Sequence, residues 1–150
     1  MGYSKEYFAQ KLGEQFPEFH GAYEEHLEYY EELLGHVFFG GETLLGVLES
    51  LLKTNEEKEK IRRYMDFLED MYANGDDDVQ NIVGVTILEN LGDDETVLRN
   101  AFTYFSEELM LASQSIEKGW GRRDIRIWHK NGKVLYDWSW PPNQAAQEGD

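Results

Sequence analysis

The chain has 150 residues and a formal net charge of −16, and its length suits one domain that buries about two thirds of its unfolded surface. The charge argues against binding nucleic acid or anionic lipid through a basic surface, and the absence of cysteine excludes disulfides and thiolate zinc sites. A hydrophobic fraction of 41%, with 14% aromatic residues, is enough for a folded core, so intrinsic disorder is not expected.

No segment of the sequence approaches the roughly 20 consecutive apolar residues of a membrane span. The N-terminal stretch MGYSKEYFAQKL is amphipathic and lacks the continuous apolar run of a signal peptide. We therefore expect a soluble, cytoplasmic protein.

Two amphipathic helices are predicted near the N-terminus. The first spans residues 4–16 and ends before Pro17. The second spans about residues 21–34, and its apolar stripe has helical spacing: Tyr23, Leu27, Tyr30 and Leu34. The rest of its surface is acidic: Glu24, Glu25, Glu28, Glu31 and Glu32. Most such faces are merely solvated, so acidity alone does not establish a partner.

The next segments predict a turn followed by two helices. In residues 36–41, three consecutive large apolar residues precede two glycines, and we expect some of the three to be core and some to be exposed. A third helix is predicted over about residues 42–53. Asn55 is placed to cap a fourth helix, which closes at Asn74-Gly75.

The central stretch of the chain, DDDVQNIVGVTILENL at residues 76–91, predicts a largely buried helix. Its apolar residues recur at three- and four-residue spacing, and its three aspartates supply an N-cap and favourable charge for the first turn. Gly84 would cost about 1 kcal/mol relative to alanine in an exposed helix, so we expect another backbone to approach closely there. Gly92 is placed for a C′ cap.

A sixth helix is predicted over residues 93–118, stopping at Gly119. The alternating pattern that follows predicts a β-hairpin, because Asn131-Gly132 suits a two-residue type I′ turn. Counting outward from that turn gives the register, which pairs Ile127 with Tyr136, Arg126 with Asp137, and Ile125 with Trp138.

One face of this hairpin is expected to pack on the helices, since an isolated hairpin is marginal in water. That face would hold Ile125, Ile127, Val134, Tyr136 and Trp138, leaving Trp128 and Leu135 on the other. Pro141-Pro142 terminates the second strand, and residues 143–150 are expected to form a disordered tail. The predicted domain is therefore residues 1–142, with the hairpin at 123–140.

Nothing in the sequence matches a metal or catalytic motif. The four histidines lie outside HExxH and Glu-x-x-His patterns, and His26, set among carboxylates, is expected to be solvated. The aspartates at 76–78 are not an EF-hand loop, because Asn81 and Ile87 stand where that loop needs glycine and glutamate. GxSxG, P-loop and GxGxxG patterns are absent, so we expect no enzyme, metal or cofactor.

Charge is distributed unevenly along the chain. Residues 76–98 contain seven acidic residues and no lysine or arginine, whereas six basic residues crowd the hairpin region: Lys118, Arg122, Arg123, Arg126, Lys130 and Lys133. The acidic second helix also carries Tyr23, Tyr29 and Tyr30, and aromatic anchors beside steering charge are typical of protein interfaces. The candidate partner-binding residues are Glu24, Glu28, Glu31, Glu32, Asp76, Asp77 and Asp78.

Two segments, LLGHVFFGGETLLGVLESLL and DDDVQNIVGVTILENLGDDETVLRNAF, resemble small acidic immunity proteins of bacterial polymorphic toxin systems. The similarity spans residues 31–105 and consists of an aromatic-glycine turn followed by an Asp-capped apolar helix that ends Leu-Glu-x-Leu. The resemblance implies a protein that binds one cognate toxin domain tightly and blocks its active site or substrate path. The hairpin lies outside this pattern.

The sequence thus predicts a mainly α domain of about six antiparallel-packed helices, as a bundle or short irregular solenoid, with a C-terminal β-hairpin. An α+β fold in which the hairpin joins a further strand is the alternative. The predicted function is a non-enzymatic immunity protein or inhibitor that neutralises a basic toxin protein. The alternatives are an adaptor that dimerises through Trp128, Leu135 and Trp140, and a hydrolase whose carboxylate pair forms only in space.

Overall fold

A computed structural model of the chain describes residues 2–139. The chain forms two compact units, Met1–Tyr104 and Phe105–Asp150. The predicted class is confirmed, because the described residues are mainly helical and end in a two-stranded antiparallel hairpin. Trp140, the Pro141-Pro142 terminator and the predicted tail at 143–150 lie outside the described residues.

The first unit begins with two short helices, α1 (Lys5–Gln15) and α2 (Ala22–Tyr30). The Ser4 hydroxyl caps α1 by accepting a hydrogen bond from the backbone N–H of Tyr7 at 3.2 Å. The second helix is shorter than predicted, because the chain leaves it at Glu31 with φ +69°. The carboxylate-bearing residues Glu31 and Glu32 therefore follow the helix rather than continue it.

The expected turn at residues 36–41 is helical instead. It consists of α3 (Gly35–Val37) followed by a π-helical segment that we call π1 (Phe38–Glu42). Phe38 and Phe39 are buried and Val37 is exposed, which confirms the predicted division of the three apolar residues. Two aromatic side chains are thereby anchored in the core by a single tight segment.

Two further helices follow, α4 (Leu44–Thr54) and α5 (Lys58–Asn74), and each buries a set of apolar side chains. The prediction that Asn55 caps the start of α5 is wrong. Asn55 has φ +55° and ends α4, with its N–H donating to the carbonyl of Leu51 at 2.9 Å. An asparagine tolerates the left-handed conformation that such a helix end requires.

The central helix runs through α6 (Asp77–Asn81), a second π-helical segment, π2 (Ile82–Leu88), and α7 (Glu89–Leu91). Asp76 caps it by accepting from the N–H of Val79 at 3.0 Å, as predicted. Six of its apolar side chains are buried: Val79, Ile82, Val83, Ile87, Leu88 and Leu91. The central, buried helix is confirmed, although its middle is π-helical rather than α-helical.

Two glycine predictions for this helix are wrong. A Cβ added at Gly84 meets nothing within 4 Å, so no backbone approaches it in the described structure. Gly92 has φ −72° and does not adopt the left-handed conformation of a C′ cap. The chain instead turns at Gly92 through its N–H, which donates to the carbonyl of Leu88 at 3.1 Å.

The predicted sixth helix is two helices, α8 (Glu95–Phe102) in the first unit and α9 (Glu107–Trp120) in the second. The break at residues 103–106 contains a β-branched residue, two aromatic residues and a serine, all weaker helix formers than alanine or leucine. The Ser106 hydroxyl accepts from the N–H of Leu109 at 3.3 Å and starts α9 anew. Apolar periodicity alone did not reveal this competing cap.

The hairpin of the second unit consists of β1 (Asp124–Lys130) and β2 (Lys133–Ser139). Its register matches the prediction at all three predicted pairs. Asn131 and Gly132 have φ +53° and +75°, as a type I′ turn requires. β1 packs against α9, where Ile125 is buried and its carbonyl accepts a hydrogen bond from Gln114 Nε2 at 2.7 Å.

A buried carboxylate joins α9 to the start of the hairpin. Glu117 is 1% exposed and forms ion pairs with both Arg122 and Arg123. The Arg123 guanidinium also lies over the Trp138 ring, 5.7 Å from its centroid. Two of the six basic residues near the hairpin therefore serve internal structure.

Candidate partner-binding site

The acidic residues of α2 and of the two positions that follow it, together with Tyr29, form an exposed surface that we call the acidic α2 face. It consists of Glu24, Glu25, Glu28, Tyr29, Glu31 and Glu32, all of which are exposed. None of its carboxylates forms an ion pair with another residue in the range 2–139. The four glutamates predicted from the sequence as partner-binding residues, Glu24, Glu28, Glu31 and Glu32, thus lie together and remain available to a partner.

Tyr29 is the most exposed aromatic side chain among the described residues, at 80% of its full accessibility. Its ring meets that of Tyr30 edge-on, with the centroids 4.7 Å apart. Tyr30 is only half-buried and rests on the ring of His26 at 4.6 Å. An exposed aromatic ring that packs on neighbouring rings is suited to act as an anchor residue in a protein interface.

His26 is buried at 3% exposure, so the prediction that it is solvated is wrong. Its Nε2 accepts a hydrogen bond from the backbone N–H of Leu34 at 3.0 Å, and its Nδ1 lies 2.9 Å from Glu42 Oε2. Because Nε2 carries no proton, the neutral ring has its proton on Nδ1 and donates it to the Glu42 carboxylate. His26 therefore ties α2 to the following loop and to the end of π1.

The sequence did contain a signal for this burial. Tyr23, His26 and Tyr30 follow a three-four spacing that fits a helical stripe as well as the predicted set with Leu27 does. In the structure the side chain at position 26, not the one at position 27, is buried, and Leu27 is half-buried.

Burial and the nearby carboxylates of Glu6 and Glu24 raise the pKa of the Tyr23 hydroxyl above its ordinary value.

The two π-helical segments contact each other. The side chains of His36 and Thr86 are hydrogen-bonded, with Nδ1 and Oγ1 2.5 Å apart. A Cβ added at Gly40 would lie 3.0 Å from Thr86 Cγ2, so this glycine permits the close approach. π-helical turns occur frequently at functional sites.

The second predicted acidic group, Asp76 to Asp78, lies at a different place in the first unit. Asp77 and Asp78 are exposed in the first turn of α6, whereas Asp76 is half-buried and occupied as its cap. The group adjoins Tyr3, which forms a parallel bridge with Gly75. Tyr3, Asp76 and Asp77 help line a cleft of about 710 Å³. The structure therefore joins these aspartates to the N-terminal segment rather than to α2.

The described residues contain no group of three or more histidine, aspartate or glutamate side chains arranged to hold a metal ion. In the same part of the chain, no helix is long and apolar enough to cross a membrane.

The fold and this surface together describe a mainly helical protein that presents an acidic face bearing an exposed aromatic residue. The chain belongs to the family described as Domain of unknown function (DUF7674), whose model matches residues 9–121. The match covers α2 and both π-helical segments and stops before the hairpin. No curated protein and no solved structure matches the chain.

Proposed function

We propose that this protein is an immunity protein or inhibitor, which binds and neutralises a cognate basic toxin domain through the acidic α2 face. The observation that carries the proposal is Tyr29, an 80% exposed aromatic side chain among five exposed glutamates without an ion pair in the described structure. Aromatic residues are enriched among the energetic anchors of protein interfaces, and rim charges select and steer the partner.

The support beneath the face favours tight binding. His26 hydrogen-bonds to Leu34 and Glu42, and its ring carries Tyr30, which in turn contacts Tyr29. A surface that is already ordered loses less conformational entropy when it binds. The rigid support therefore suits an inhibitor that must hold its target.

The charge of the molecule favours a basic partner. The first unit contains 23 of the 30 acidic residues and 8 of the 14 basic ones, so it carries nearly all of the net charge of −16. Such a field speeds the encounter with a positively charged protein and opposes contact with nucleic acid. Asp77 and Asp78, exposed at the start of α6, are a second carboxylate group available to the same partner.

The test is co-expression with a candidate toxin captured from the source cells. Wild-type protein and the variant Glu28→Lys/Glu32→Lys serve as baits, and each captured protein is then expressed in a heterologous host. We expect a basic protein that arrests growth, with growth restored by the wild type and not by the variant.

The matched control is Glu56→Lys/Asp66→Lys, which makes the same change of net charge at two exposed positions away from α2. This control should restore growth as the wild type does. A captured partner without toxicity would contradict the immunity function. Equal rescue by the wild type and the α2 variant would remove the acidic α2 face from the interface.

A further inference from the structure

The hairpin of the second unit has one face with no described partner. Strand alternation and the observed register place six side chains on this hairpin outer face: Arg126, Trp128, Lys130, Lys133, Leu135 and Asp137. The opposite face looks toward α9, where Ile125 is buried and His129 Nε2 lies 3.0 Å from Glu107 Oε1. The inner face therefore stabilises the unit, and the outer face needs another explanation.

The outer face combines an aromatic residue with cations. Trp128 is 42% exposed, and Arg126, Lys130 and Lys133 are all exposed. None of these three cations forms an ion pair with a carboxylate in the described part of the chain, in contrast to Arg122 and Arg123. A tryptophan flanked by unpaired cations is suited to an acidic partner that also presents an aromatic or apolar surface.

A surface of that kind exists on the same molecule. The acidic α2 face presents five glutamates around Tyr29, none of them paired within residues 2–139. Both surfaces carry their aromatic ring between or beside the charges.

We propose that the hairpin outer face binds the acidic α2 face of a second copy of this chain. Trp128 packs beside Tyr29, while the lysines of the hairpin meet glutamates of the second copy. Each copy thereby covers the surface that we assign to toxin binding, so self-association and toxin binding exclude each other at that face. This self-association can be tested without any toxin.

Ionic strength provides a distinctive signature of this contact. Two copies with a net charge of −16 each repel at long range, while the contacting pairs attract at short range. At about 0.15 M salt the Debye length is about 8 Å, so the long-range repulsion is screened more than the contact. Self-association should therefore be weak at very low salt, strongest at intermediate salt and weak again at high salt.

The experiment is sedimentation equilibrium of the full chain over a range of protein and salt concentrations. We expect the average mass to rise with concentration near 0.15 M salt. The variant Lys130→Glu/Lys133→Glu should lose this rise. These two residues face each other across the strands, so the exchange keeps a like-charged pair and leaves the hairpin register unchanged. Arg126 is left intact because it lies opposite Asp137.

The reciprocal variant supplies the specific test. Glu28→Lys/Glu32→Lys alone should also stay monomeric, and mixing it with Lys130→Glu/Lys133→Glu should restore association, since the reversed charges match again. Trp128→Ser should weaken self-association about tenfold or more. The control Lys58→Glu/Lys118→Glu makes the same net charge change as the hairpin variant at exposed positions outside the outer face, and it should associate like the wild type.

A constant monomer mass for the wild type at every salt concentration would overturn the inference. Association that persists in both charge-reversed variants would also overturn it. A mixture of the two variants that stays monomeric, while circular dichroism shows both to be folded, would do the same. If the wild-type protein self-associates as expected but does not restore growth in the toxin experiment, only the proposed function is contradicted.

Discussion

The imidazole of His26 accepts a hydrogen bond from the backbone N–H of Leu34 at 3.0 Å. This contact joins the inward side of α2 to the segment that leads into α3 and π1. The same ring donates a hydrogen bond to Glu42 and contacts the ring of Tyr30. One buried polar side chain therefore links the residues that support the acidic α2 face. The function that we propose for that face depends on this arrangement.

Replacing His26 should therefore destabilise the protein. His26→Phe fills the site but leaves the Leu34 N–H without its acceptor and Glu42 without its donor, which should lower the free energy of unfolding by about 2 to 4 kcal/mol. Urea denaturation followed by circular dichroism measures the change. His20→Phe, at an exposed histidine, should stay within about 0.5 kcal/mol of the wild type. Equal stability of the two variants would mean that the contacts of His26 contribute little.

Charge reversal on the acidic α2 face should change kinetics rather than folding. Glu28→Lys/Glu31→Lys/Glu32→Lys should slow association with the basic toxin that we propose as the partner and flatten its salt dependence, because rim charges act mainly on the on-rate. All three positions are exposed, so the melting temperature should change little. Stopped-flow association at low and high salt is the measurement. Unchanged rates at both salt concentrations, with the fold intact, would leave Asp77, Asp78 or the hairpin as the contact surface.

Gly75 and Gly84 should respond in opposite directions to alanine. A Cβ at Gly75 would lie 2.3 Å from Val79 Cγ1 and 2.4 Å from the carbonyl oxygen of Met71, so Gly75→Ala should cost about 2 kcal/mol or more. A Cβ at Gly84 meets nothing within 4 Å, and Gly84→Ala should stabilise the helix by up to about 1 kcal/mol. Differential scanning calorimetry of both variants tests the pair. Destabilisation by Gly84→Ala would indicate that its position in π2 requires glycine.

The stability of the protein should depend on the protonation of Glu49. Burial, and then the neighbouring carboxylates Asp93 and Asp94, raise the pKa of Glu49 above its ordinary value. The folded state therefore favours the protonated form, and stability falls as the pH rises from below about 4.5 through the raised pKa. Glu49→Gln should remove this loss and be more stable than the wild type at pH 7, by within about 1 kcal/mol.

The difference between the wild type and Glu49→Gln should vanish near pH 3, where the glutamate is already neutral. Denaturation midpoints across this pH range supply the measurement. Glu59→Gln, at an exposed carboxylate in the first turn of α5, is the matched control and should show no comparable gain at pH 7. A constant difference at all pH values would indicate that the substitution at Glu49 acts through packing rather than through charge.

The sequence by itself determined the elements whose signals are local. The hairpin register followed from Asn131-Gly132, because a two-residue turn with two positive φ angles leaves only one pairing of the flanking strands. The central helix followed from its apolar spacing and from the cap at Asp76. The exposure of the α2 glutamates followed from their place off the apolar stripe.

Tertiary structure decided the features that depend on what a side chain meets in space. His26 became a core residue because its two ring nitrogens find Leu34 and Glu42, sixteen positions away at the farther contact. At the break between α8 and α9, the Tyr104 hydroxyl donates to Asn55 Oδ1 at 2.7 Å, and the Tyr104 carbonyl accepts from Arg62 Nη1 at 3.0 Å. His36 of α3 is hydrogen-bonded to Thr86 of π2, which is 50 positions away. Periodicity reports which face of a helix is apolar, but the polar partners that bury a histidine or a threonine are supplied by distant parts of the chain.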